Sequence, residues 1–234
     1  MPASSRLAVL ADHAWPEVDA AAVLAVPVGS TEQHGPHLPL STDTDVAVAL
    51  GARLATARSD VLVAPPIAYG SSGEHDGFPG TLSIGQDALE RLLVELGRSA
   101  TLTFRRVLFV STHGGNASPV RRAEARLRAE SRDVLAWMPS RYGNGAGAGD
   151  AHAGRTETSL QLALDPRRVR LDRAAPGDTR PITELLPKLR ALSVKAVSPN
   201  GVLGDPAGAS ADEGAALLDA LLADLVASVQ AWLE

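Results

Sequence analysis

Apolar runs of strand length alternate with helically spaced apolar positions along this chain. Val23–Val28, VLAVPV, is an unbroken apolar run that stops at Gly29, the mark of a strand buried on both faces. A helix is expected over 46–57, with Asp43 or Thr44 near its cap, then a second strand over 61–67 stopped by Pro65 and Pro66. Leu89, Leu92, Leu93, Leu96 and Ala100 repeat at helical spacing and predict a helix over 87–103. The β-branched run 107–110 predicts a strand ending at Ser111-Thr112-His113, followed by a helix from about Pro119 with Asn116 as its cap. A further strand is expected over 134–138, a weak helix over 183–192, and a long C-terminal helix. That last helix opens with the capping-box spacing of Ser210 and Glu213 and runs through Leu217, Leu218, Leu221, Leu222, Leu225, Val226, Val229 and Leu233. Strands alternating with helices, without repeat or linker, predict one α/β domain over 1–234.

The polar positions gather where the apolar runs end. Directly after the first strand come Glu32, His34, His37, Asp43 and Asp45, and Glu32 and His34, two residues apart, point to one side of an extended chain. His113 follows another strand, and open α/β sheets place ligands at that carboxyl edge. Carboxylates and imidazoles are ligands for zinc, manganese or iron(II), and a chain with no cysteine offers no thiolate. The plainer alternative is a solvated loop whose Ser41, Thr42 or Asp43 caps the next helix. The loop 69–82, broken by glycines and prolines, carries Glu74 and His75, which serve either a substrate pocket or loop support. Gly143, Gly145, Gly147 and Gly149 lack the spacing of a dinucleotide fingerprint; that segment reads as a mobile loop delivering His152 to a helix with Glu157, Thr158 and Leu160.

Composition narrows the classes. At 234 residues the chain fits one large domain. A net charge of -5 and 3% aromatic residues argue against a nucleic-acid surface, and Arg167, Arg168 and Arg170 read as solvated surface. The expectation is a cytoplasmic protein with no membrane span and no signal peptide, because no apolar stretch is taken to approach the necessary length. His13 is expected to be exposed, and Trp137 to line the core or a pocket wall.

Taken in order, GSTEQHGPHLPLSTDTD, YGSSGEHDGFPGT, STHGGN, HAGRTETS and GVLGDP resemble the motifs of the creatininase family of metal-dependent amidohydrolases over about 23–214. The resemblance implies a three-layer α/β/α sandwich with a mostly parallel central sheet, a homo-oligomer, and two divalent ions per subunit, iron(II), zinc or manganese. It implies that Glu32, His34, Asp43 and His113 are metal ligands, with Asp43 bridging. His152 would then be the general acid/base, and Glu157 a ligand or a contact of the attacking water. True creatininases carry Glu where Gly115 stands, and Glu157 is the expected replacement. Glu74, His75, Gly114, Gly115 and Asn116 are expected on the substrate side, the Gly114-Gly115 turn or Gly80-Thr81 as donors to an oxyanion. Within the family the phrases are most similar to members acting on the ribosomally made, radical-modified mycofactocin precursor peptide. The alternative is hydrolysis of a small cyclic amide or formamide; a binding or scaffold protein on the same fold would lack the complete set of acidic and imidazole groups found here.

Overall fold

The computed structural model describes residues 8–139 and 150–234. Among these residues the sheet has four strands, β1 Val23–Val28, β2 Val61–Val63, β3 Arg106–Ser111 and β4 Asp133–Trp137, in the order β2-β1-β3-β4. All three pairings are parallel, as helical crossovers require. Period-two alternation sorts the side chains between two cores. Leu24, Val26 and Val28 of β1 join Val107 and Phe109 of β3 on one face, whereas Val23, Ala25, Leu108 and Val110 face the other.

Helices α1 Thr42–Ala57, α2 Gln86–Ala100, α3 Ala117–Ala129 and α4 Arg155–Leu164 follow, then α5 Ile182–Ala191, α6 Val194–Val197 and α7 Ala211–Leu233. Leu89, Leu93, Val120 and Leu127 of α2 and α3 pack on the first face. Leu50 and Leu54 of α1, Leu160 of α4 and Leu218, Leu221, Leu225 and Val229 of α7 pack on the second. The result is the expected α/β/α sandwich. The chain leaves β1 across one face through α1 and enters β3 across the other through α2, so the connections diverge between these adjacent strands. Their carboxyl ends open a crevice at that switch point.

Five details depart from expectation. β2 stops at Val63 rather than residue 67, because Pro65 and Pro66 intervene; Ile67 keeps only an isolated bridge to Val28. α1 begins at Thr42, which places Asp43 inside its first turn. Helix α7, 23 residues with mean hydropathy 1.6, is long and apolar enough to cross a membrane by length and composition, contrary to the reading that no such stretch exists. It is nevertheless fastened to the sheet through Leu218 and Leu225, both fully buried, and through its Asp224, which accepts the Trp137 indole N–H at 2.8 Å. Ser210 caps α7 by accepting from the Glu213 N–H at 3.2 Å, while the Glu213 carboxylate turns to Arg155 and Ser159 instead of closing the box. His13 is half-buried, not exposed, with Nδ1 2.9 Å from the Val9 carbonyl. The glycine-rich stretch 143–149 lies outside the described residues.

Candidate metal centre

Three elements deliver the chemistry to the crevice. The extended segment after β1 brings Glu32 and His34, the end of β3 brings His113, and the first turn of α1 brings Asp43. The amino end of α4 adds Glu157 with His152 just ahead of it; all six side chains are buried. Between His152 and the helix, Ala153 takes a left-handed φ of 52°, a conformation that costs a non-glycine residue on the order of 1 kcal/mol. That turn aims the Ala153 N–H at Glu157 Oε2, 2.6 Å away, and so holds the carboxylate inward.

Asp43 stands between two imidazoles. Its Oδ1 is 3.7 Å from His34 Nε2 and its Oδ2 is 3.4 Å from His113 Nδ1. Each ring commits its other nitrogen to a carbonyl: His34 Nδ1–H donates to Glu32 O at 3.2 Å, and His113 Nε2–H donates to Ser71 O at 2.9 Å. In the neutral rings both remaining lone pairs therefore face the same carboxylate, an arrangement that repels unless cations lie between. Glu157 Oε2 is 3.7 Å from His34 Nε2, and Glu32 Oε2 is 3.1 Å from His113 Nε2. Among the described residues, Glu32 Oε1 and Oε2 and His34 Nε2 are buried without a hydrogen-bond partner. Buried polar atoms are nearly always satisfied, so these orphans mark places for an ion.

Among the described residues, ligand atoms converge in three groups: Glu32 with Asp43 and His113, His34 with His152 and Glu157, and Glu32 with His75 and His152. Oxygen and nitrogen donors in such sets suit zinc, manganese or iron. Without an ion, protons must do the neutralising. Burial pushes the Glu32 and Glu157 carboxyls up to about 7, against the pull of His113 on the first and His34 on the second. Burial opposes charge on His34, yet Asp43 and Glu157 raise it to about 10. Burial likewise works against Asp43, but His34 and His113 hold it down at about 2. His113 is raised by Glu32 and Asp43 despite its burial. Three imidazoles stay neutral: burial, reinforced by His34, drops His37 to about 4 and carries His152 well below its ordinary value, and burial with His113 takes His75 to about 3.

The residues expected on the substrate side differ in their surroundings. His75 is buried within the cluster, its ring 4.4 Å from that of His152. Asn116 occupies the cap position of α3 without capping it, and its amide is spent on backbone: Nδ2 donates to Gly29 O and Oδ1 accepts from the Ser71 N–H, both at 2.9 Å. It ties the end of β1 to the 70–75 loop. Gly114 is exposed and Glu74 half-buried. A Cβ on Gly115 would fall 2.2 Å from Ser71 O and 2.5 Å from Glu74 Oε1, so a side chain is excluded where Glu74 and the Ser71 carbonyl crowd against His113. Glu157, the expected replacement for a carboxylate there, lies on the His34 side of Asp43. His37 braces α4 through Thr158 at 2.9 Å, Asp45 bonds Ser41 and Arg168, and Arg155 pairs with Glu213. Gln33, Ser30 and Ser71 went unremarked in the sequence, although each touches the cluster; only the position of Gln33 between two candidate ligands could have flagged it.

Comparison with known proteins decides the family. The creatininase family pattern, described as creatinine amidohydrolase, matches residues 11–229. The chain belongs to the creatininase family. Mycofactocin precursor peptide peptidase of Mycobacterium ulcerans is 48% identical over 226 residues, 93% of this chain and 86% of that protein. Creatinine amidohydrolase of Pseudomonas putida is 31% identical over 78% of this chain and 82% of its own length. A solved manganese creatininase superposes with TM-score 0.80 at 25% identity, over 95% of this chain and 97% of the other. The creatininase-family chain is thus a hydrolase of amide bonds with buried metal-binding groups.

Proposed function

We propose that this protein is the peptidase that hydrolyses the radical-modified mycofactocin precursor peptide and releases its cross-linked, decarboxylated C-terminal Val-Tyr unit as a pyrrolidinone. The observation that carries the substrate is 48% identity over nearly the whole chain to a peptidase of that name. The chemistry rests on the crevice itself, where Asp43 is shared between two imidazoles and their carboxylate partners. Glu32, Asp43 and His113 would hold one divalent ion, and His34, Asp43 and Glu157 a second, as iron(II), zinc or manganese. Bound there, the ions supply an acidified water and polarise the scissile carbonyl.

The chain's own groups do the rest. His152 is neutral and turns Nδ1 toward Glu32 Oε1 at 3.8 Å and Glu157 Oε2 at 4.0 Å, so its lone pair faces the reacting atoms. It takes a proton there and returns it to the leaving nitrogen, a transfer without which an amide does not part. The peptide enters past Gly114 and Glu74, the open side of the cluster. The enzyme acts in the cytoplasm as a homo-oligomer, which would cover exposed apolar side chains such as Trp15 and Leu102, 88% and 82% accessible.

The test is to strip the protein of metal, reload it separately with iron(II), zinc and manganese, and offer the modified peptide and creatinine, reading products by mass spectrometry. Release of the Val-Tyr-derived fragment, lost in His113→Ala, is expected. Turnover of creatinine alone would move the protein to the small cyclic amides.

A further inference from the structure

Gln33, between Glu32 and His34, is 5% exposed and, among the described residues, belongs to no group of candidate ligands. Its amide orientation is determined by a neighbour that can only donate: the Gly35 N–H lies 2.9 Å from Oε1. The amide nitrogen must then face the other way, where it has three neighbours. They are His75 Nδ1 at 2.8 Å, Gly201 O at 3.0 Å and His152 Nε2 at 3.1 Å. An amide nitrogen carries two hydrogens.

His152 settles which neighbours receive them. Its Nε2 is 2.8 Å from the backbone carbonyl of Gln33, an atom that only accepts, so Nε2 carries the ring hydrogen. The two amide hydrogens therefore go to Gly201 O and His75 Nδ1. With Nδ1 accepting, neutral His75 bears its hydrogen on Nε2, 3.3 Å from Glu32 Oε1. Gly201, at φ 81°, is packed so closely that a Cβ would fall 1.9 Å from Gln33 Oε1, which holds the amide in its seat.

We propose that Gln33 is a positioning residue that fixes His75 in the Nε2–H tautomer, so that His75 turns a hydrogen and not a lone pair toward Glu32 Oε1, 3.3 Å away, and steadies Glu32 as a ligand rather than binding an ion itself. The assignment removes Glu32, His75 and His152 as a third ion site and leaves His152 with Nδ1 as its only free lone pair. It rests on the metal-dependent reading above, although the tautomers follow from the hydrogen bonds alone. Partners of this kind commonly change metal affinity or activity about 10- to 100-fold when removed.

The test is long-range 1H–15N NMR of the histidine rings in zinc-loaded protein, repeated without zinc. The unsubstituted protein needs no variant: His75 and His152 are expected as Nε2–H tautomers, with no zinc-shifted nitrogen on His75. Gln33→Glu keeps the shape and the acceptor for Gly35 but removes the donor, and is expected to turn His75 to Nδ1–H and weaken zinc binding about 10- to 100-fold. A zinc-bound His75, an Nδ1–H tautomer in the unsubstituted protein, or a Gln33→Glu protein with unchanged tautomer and affinity would overturn the proposal. Expected tautomers in a protein that takes up no zinc would uphold the role of Gln33 and sink the metal reading instead.

Discussion

Metal binding should release protons in a number that the structure sets. In the ion-free protein at pH 7, His34, at about 10, is protonated, and Glu32 and Glu157, at about 7, are each protonated half of the time. Asp43, at about 2, is already ionised, and His37 and His75, at about 4 and 3, are already neutral. A bound ion requires every ligand deprotonated. Loading the centre at pH 7 therefore expels about two protons from these three groups, and His113, also raised, adds to them. Two protons make the apparent binding free energy about 2.7 kcal/mol more favourable per pH unit near neutrality. Stability moves in the opposite sense without metal. The raised groups contribute stability that is complete below their unfolded values of about 4.3 for Glu and about 6.5 for His, and it is lost as pH climbs through about 7 and about 10. The gap in Tm between loaded and stripped protein should accordingly widen from pH 6 to 8. Calorimetric titration of zinc in buffers of different ionisation enthalpy counts the protons directly. A count near zero at pH 7, or a Tm gap that narrows as pH rises, would refute the assigned ligands.

Three further outcomes follow from single contacts. His152→Ala should lower kcat by about 10²- to 10⁴-fold while leaving metal content intact; loss of an ion from that variant would make His152 a ligand instead. Gly115→Ala places a methyl 2.2 Å from Ser71 O, and it should destabilise by about 1–3 kcal/mol in urea unfolding and weaken metal retention, whereas Gly114→Ala, with nothing within 4 Å of its Cβ, should do neither. Leu218→Ala, on the fully buried stripe of α7, should cost about 2–5 kcal/mol in the same assay; a loss under about 1 kcal/mol would mean that α7 does not belong to the core.

The legible part of this chain was the part written in period and in donor type. Unbroken apolar runs marked β1 and β3, and the candidate ligands fell where those runs ended, since a parallel strand finishes at the one sheet edge where side chains can converge. Asp43 was visible as chemistry but not as geometry: its place inside the first turn of α1, between two imidazoles, depends on how α1 packs over β1. Asn116 was expected to cap α3, and His75 stayed open between substrate pocket and loop support, for a related reason. A loop that looks solvated in one dimension is pulled inward by partners distant in sequence, Gln33 for His75 and Gly29 for Asn116. Gln33 itself carried no signal of type, being uncharged. Its role lies in which atoms its amide can reach. Helix α7 was legible from its leucine stripe, whereas its length and apolarity for a membrane span come from the alanine-rich outer face that the stripe does not show.

The most direct measurement of the central claim is metal stoichiometry by elemental analysis after zinc loading and dialysis, in the unsubstituted protein and in Asp43→Asn. A carboxylate shared by both ions predicts about two zinc per chain, both lost together in the variant, with the fold retained by circular dichroism. One zinc in the unsubstituted protein, or a variant that keeps one of two, would contradict a centre built around Asp43.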